Sequence, residues 1–61
     1  MPHISIKGPS ITLEKKRELV QKVTEVASQI YNIPQDKFMI HISEFSKENT
    51  ASGGTLLVDK K

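Results

Sequence analysis

Pro2, immediately behind the initiator methionine, is the residue whose chemistry changes most with processing. Removal of Met1 turns an amide-bonded ring nitrogen into a free secondary amine, a group that no side chain supplies. An unperturbed α-amino group titrates near about 7.7–8.0, and burial beside apolar groups or cations disfavours its charged form and moves it towards neutrality. A base poised near the working pH suits proton abstraction, and an amine at a chain end is compact enough to sit at the floor of a pocket. Methionine aminopeptidases trim Met before a small second residue, proline included, so the free amine is the expected form. A plainer explanation stands beside this one. Proline has no amide hydrogen to give to a sheet and is tolerated at a strand's first residue, where it needs no chemical role.

The remaining chemistry-bearing residues are few. There is no cysteine, which excludes disulfides and thiolate metal sites, and the glycines Gly8, Gly53 and Gly54 form no phosphate-binding or dinucleotide fingerprint. His3 and His41 fall on separate strand-like segments and approach each other across a sheet. Two imidazoles without a third ligand read as surface or interface residues, with His41 at a subunit contact. Met39 and Phe45 share the face of His41 and read as interface apolars. Arg17, the only arginine, lies inside a helical pattern and suits a surface salt bridge. The cluster LEKKRE at 13–18 reads as a solvated helix face, and the formal charge of +2 is too small to mark a nucleic-acid binder.

These residues need elements to position them. Residues 3–7, HISIK, alternate polar and apolar as a half-buried strand does, and Gly8-Pro9-Ser10 breaks the pattern. Thr12 is the expected N-cap of a helix, with Glu14 in its first turn. Leu19, Val20, Val23, Val26, Ala27, Ile30 and Tyr31 then recur at helical spacing until Asn32 and Pro34 end it. PQDK at 34–37 predicts a turn or a single helical turn. FMIHISEF at 38–45 alternates again, with Phe38, Ile40 and Ile42 on one side and Met39, His41, Ser43 and Phe45 on the other. Gly53-Gly54 signals a hairpin or bulge, and TLLV at 55–58 a short third strand. A strand, a crossover helix and a strand make a βαβ unit with parallel strands. The expected fold is therefore α/β, one domain over residues 1–61, with one long helix and a short C-terminal hairpin or strand.

A chain of 61 residues buries only about 60% of its unfolded surface and is marginal alone. One helix covers one face of such a sheet, so self-association is expected from both size and architecture. No apolar run approaches the length needed to cross a bilayer, and no secretory leader is apparent, which points to a cytoplasmic protein without nucleic-acid or membrane partners.

Pro2, the segment EKKRELVQKVTEV from Glu14 to Val26, the Ser43-Glu44 end of the second strand and Gly53-Gly54 together resemble the 4-oxalocrotonate tautomerase family over nearly the whole chain. The resemblance implies a βαβ subunit assembled into hexamers, as trimers of dimers, or into another assembly of the tautomerase superfamily, and no cofactor or metal. It also implies a tautomerase, an isomerase whose amino-terminal proline acts as general base and then acid on an enol or a keto acid. The best-known members carry an arginine in the loop after the first strand, another at the start of the second strand, and an aromatic residue before the glycine pair. Here the loop reads GPSITLEKK with no arginine, the second-strand position falls at Met39, and the aromatic position at Thr50. Lys7, or Lys16 from a neighbouring subunit, stands as a replacement anion binder, though an ammonium lacks the planar bidentate grip of a guanidinium. Pro2 is thus the candidate catalytic residue, and Lys7, Lys16, Met39 and Thr50 the candidate substrate-binding ones. The rival expectation is a non-catalytic oligomeric binding or interaction protein of the same fold.

Overall fold

The alternating HISIK segment forms β1 (His3–Gly8), and the second alternating segment forms β2 (Met39–Glu44). The computed structural model describes residues 1–60. Between the strands runs α1 (Leu13–Tyr31), 19 residues long. Its start is fixed locally: Thr12 is extended, and its Oγ1 accepts a hydrogen bond from the Lys15 N–H at 3.2 Å, satisfying one of the donors a helix leaves open in its first turn. Its end is fixed just as locally. Asn32 takes a left-handed conformation with φ 58°, and the N–H groups of Asn32 and Ile33 both reach back to the Ser28 carbonyl. Asparagine tolerates that backbone better than most residues because its short polar side chain bonds locally. A single 3-10 turn, Gln35–Lys37, then leads into β2.

β1 and β2 pair in parallel, with His3 opposite Met39, Ser5 opposite His41 and Lys7 opposite Ser43. Ile4, Ile6, Ile40 and Ile42 are half-buried, whereas His3, Ser5, Lys7, Met39, His41 and Ser43 are exposed. This is the period-two division of a sheet covered on one side. The apolar side is covered by α1, whose Leu19, Val20, Val23 and Ala27 are half-buried.

The ladder also fixes which backbone groups have no strand beside them. The Met39 N–H donates to the Pro2 carbonyl and the Phe45 N–H to the Gly8 carbonyl, each at 3.0 Å. Bonded residues alternate along a parallel strand, so the even-numbered residues of β1 and the odd-numbered residues of β2 join the two strands. The N–H and C=O groups of His3, Ser5 and Lys7 consequently face the outer edge of β1. Among the described residues the sheet has two strands, and no third lies along that edge of the single chain.

The C-terminal segment forms a small hairpin of β3 (Ala51–Ser52) and β4 (Thr55–Leu56). Gly53 and Gly54 make its turn with φ 61° and 85°, the pair of positive values that a two-residue hairpin turn of matching twist requires. The TLLV strand expected over 55–58 is shorter: Leu57–Asp59 form a single 3-10 turn. The Leu57 N–H is drawn back to the Thr50 carbonyl at 2.8 Å, which closes the hairpin and bends the chain after Leu56. Replacing Gly54 with alanine is expected to destabilise the folded protein by about 1–2 kcal/mol, the cost of a Cβ in left-handed backbone. A urea midpoint unchanged from wild type would show that the hairpin turn contributes nothing to folding.

None of the described residues is fully buried. The radius of gyration is 15.0 Å, whereas a compact domain of this length has about 10.5 Å. The accessible surface is 5174 Å², against about 4,000 Å² for a folded monomer of this mass. Ile30 and Tyr31 are 77% and 64% exposed, and Leu13, Val26, Met39 and Val58 each exceed half exposure. Val23, Val26, Ala27, Ile30 and Tyr31 line one open apolar groove along α1.

Candidate active site

Pro2 is half-buried at the amino-terminal end of β1, and its carbonyl is anchored by the Met39 N–H. Side chains alternate along a strand, so the Pro2 ring shares the α1-facing side with Ile4 and Ile6. Its apolar surroundings begin at the entry to β2. Phe38 is half-buried, and its ring packs on Tyr31 at the end of α1 with centroids 6.2 Å apart and a 54° tilt, a favourable aromatic geometry. One end of the sheet thus combines the Pro2 backbone, an aromatic pair and the exposed Met39 side chain.

The sequence-derived candidates divide between the two ends of the fold. Met39 lies at the Pro2 end. Lys7 lies five residues further along β1, about 16 Å away at the rise of a strand, beside Ser43. Lys16 sits at that same far end and is engaged: its Nζ lies 3.1 Å from Glu44 Oε2. Thr50 precedes β3, its Oγ1 donating to the Ser46 carbonyl at 3.0 Å. Within a single chain, only Met39 of the four therefore adjoins Pro2. Lys37 was not among the candidates, although it stands on the turn that delivers Met39 to Pro2 and is the basic residue nearest to that contact along the chain. Parallel pairing was the signal that could have found it, because it places the residues just before β2 beside those just before β1.

Glu44 is the second residue that sequence reasoning left without a role. Its Oε2 accepts from the Ile11 N–H at 3.3 Å as well as from Lys16. It thereby ties the end of β2 to the loop after β1 and to the first turns of α1. Lys16, and then the Ile11 N–H, hold its carboxyl below its ordinary 4.5. A depressed carboxylate contributes stability that is present above its unfolded value and lost as pH falls through the folded one. Glu44→Gln is therefore expected to reduce the loss of urea resistance between pH 6 and pH 3. An identical loss in both proteins would show that the clamp carries none of the acid sensitivity. On α1, Glu18 and Lys22 pair at 2.7 Å on an exposed face, which lowers the glutamate and raises the lysine.

Among the described residues, no three histidine, aspartate or glutamate side chains gather as a metal site, and no helix is long and apolar enough to cross a membrane.

A profile described as "Tautomerase enzyme" matches residues 2–60. The chain belongs to the tautomerase family. It is 36% identical to a probable tautomerase of Bacillus cereus over 61 residues, covering 98% of this chain and 100% of that one. It is 35% identical to the 2-hydroxymuconate tautomerase of Bacillus subtilis over 60 residues, covering 97% of each. The crystal structure of YwhB, a homologue of 4-oxalocrotonate tautomerase, matches with a TM-score of 0.89 and 33% identity over 98% of this chain and 100% of that one. DmpI from Archaeoglobus fulgidus matches with a TM-score of 0.85 and 38% identity over 95% and 100%. The βαβ architecture is thus that of the tautomerase fold, and family and fold together support a tautomerase activity, an isomerase reaction.

Proposed function

We propose that this tautomerase, trimmed of Met1, uses the Pro2 amine as general base and then acid to move a proton within an enolisable 2-keto acid or related carbonyl compound. In ketonisation the amine takes the enol hydroxyl proton as the carbonyl forms, and the resulting ammonium delivers a proton to the adjacent carbon. The observation that carries this reading is the placement of Pro2, half-buried and with its carbonyl held by Met39 at the aromatic end of the sheet. That placement leaves Pro2 only partly in water, which favours the neutral form of an amine.

The substrate carries less negative charge than a dicarboxylate. No arginine adjoins Pro2 in sequence or register, and the one arginine lies on α1. Each absent charge-stabilising donor costs about 3 kcal/mol in the transition state, or roughly 10²-fold in rate. Lys37 provides a single ammonium at the Pro2 end, which suits one carboxylate.

The chain acts as one domain over 1–61 within a cytoplasmic homo-oligomer, a hexamer by analogy with the family. The missing core and the open β1 edge favour this assembly, and Lys7, Lys16 with Glu44, and the Thr50 arm would be brought to a site from neighbouring copies. Phenylenolpyruvate ketonisation by chains of verified mass tests the chemistry. Activity is expected in the trimmed chain and absent from one that keeps Met1, since an amide nitrogen is not basic. Equal activity in both would overturn the role of the amine. The lack of arginine beside Pro2 favours a second reading, a non-catalytic binding module, which the same assay supports if both forms are inert.

A further inference from the structure

The face of the sheet turned away from α1 carries His3, Ser5 and Lys7 from β1 and Met39, His41 and Ser43 from β2, all exposed. Three of these six are basic and none is a carboxylate. Glu44, at the end of β2, is instead held by Lys16 and the Ile11 N–H beside the start of α1. A concavity of about 360 Å³ opens on this face, lined by His3, Ser5, Met39 and His41 together with Ile4 and Ile40. It holds two imidazoles and a hydroxyl but no permanent cation. We propose that pairing of two copies along β1 completes this concavity as a site for an inorganic divalent oxyanion such as phosphate, held by His3, Ser5 and His41 of one copy and the partner's Lys7.

The register of that pairing follows from the edge itself. The N–H and C=O groups of His3, Ser5 and Lys7 face outward, and a two-fold axis normal to the sheet sets the second β1 antiparallel to the first. Outward-facing residues then bond to outward-facing residues. One register uses all three in both copies, with Ser5 opposite the partner's Ser5 and His3 opposite the partner's Lys7. A shift of two residues either sets His3 opposite the partner's Pro9, which has no N–H to give, or carries Lys7 past the start of the partner's β1. Side chains directly opposite in such a pair stand about 5 Å apart. The partner's ammonium therefore arrives beside His3, while His41 flanks the concavity from β2, opposite Ser5.

The charges call for an anion. A pair of copies sets two Lys7 ammonium groups on one face of the joined sheet, with four imidazoles that gain charge as pH falls below neutrality. Like charges opposite one another oppose the pairing. A divalent oxyanion offsets them by accepting from the ammonium, the Ser5 hydroxyl and the imidazole N–H groups, the first and last being charge-assisted bonds. Binding therefore favours both the protonated imidazoles and the paired copies. The site rests on the self-association proposed above and on no part of the catalytic reading, because the Pro2 ring lies on the other side of the sheet.

The test is a calorimetric titration with sulfate, whose charge is constant between pH 8 and pH 6, at an ionic strength held with chloride. One anion per chain is expected, with affinity rising about tenfold or more from pH 8 to pH 6. Lys7→Gln should weaken binding about tenfold or more. Lys15→Gln, exposed on α1 and so across the sheet, should bind as the parent does. The double variant His3→Gln, His41→Gln should lose the pH dependence. Sedimentation of the parent near its dissociation range should show sulfate restoring the larger species, and circular dichroism confirms that each variant is folded. Equal affinity in Lys7→Gln and the parent, or affinity that ignores pH, overturns the site and leaves the assembly standing. A parent chain that sediments as a monomer at every concentration and pH overturns the assembly, and the site with it.

Discussion

Pro2→Ala, purified without Met1, should ketonise phenylenolpyruvate about 10²–10⁴-fold more slowly than the parent chain in kcat/KM, the usual contribution of a positioned general acid-base group. Alanine keeps an α-amine, so the variant tests the ring and its placement rather than the mere presence of a terminus. The pyrrolidine ring holds the nitrogen's substituents, and so its lone pair, in a set direction relative to Cα, whereas the amine of a terminal alanine turns freely about its N–Cα bond. Misorientation towards the reacting atom is costly even when small. Equal rates for the two proteins would remove Pro2 from the chemistry. The tautomerase fold, which rests on the match to solved structures, would be untouched.

The second large effect concerns assembly. Ser5→Pro is expected to convert the proposed homo-oligomer into smaller species at micromolar concentration. The Ser5 N–H faces the open edge of β1, so proline removes no bond to β2 and is compatible with an edge position. It does remove a donor from any strand laid along that edge and sets a ring in its path. An unmade edge bond costs about 1–1.5 kcal/mol, roughly tenfold in association for each copy, before the clash is counted. Sedimentation of wild type and variant at several loading concentrations reads the outcome, with circular dichroism to confirm retained helix. An unchanged sedimentation coefficient would show that the subunits join elsewhere, with the groove lined by Val26 and Ile30 the next surface to test.

The parts of this molecule that sequence revealed are those whose causes are local. Thr12 caps α1 through a bond only three residues long, and Asn32 ends it by adopting its own left-handed backbone. The strands follow from strict alternation around Ile4, Ile6, Ile40 and Ile42. Where pairs distant in the chain decide, the sequence is silent. Glu44 reaches Ile11 across 33 residues, and no periodicity announces that bond or the capture of Lys16 that goes with it. The expected strand at 55–58 ended early because Leu57 bonds to Thr50, a contact set by the hairpin rather than by the β propensity of TLLV. The candidate site divided in the same way. Pro2 was legible from residue type and position. The separation of Lys7 from Pro2 follows from the rise of the expected strand, whereas the closeness of Lys37 required the register, with His3 opposite Met39 and the Pro2 carbonyl bonded to Met39, which the expectation of parallel strands alone does not supply.

The lack of a single buried side chain among the described residues reaches beyond architecture to dosage. If the copies assemble as proposed, so that the interior forms only where they meet, stability becomes inseparable from the chain's own abundance. In that assembly, halving synthesis in a cell would cut the assembled form by more than half, and dilution in the test tube would act as an inhibitor.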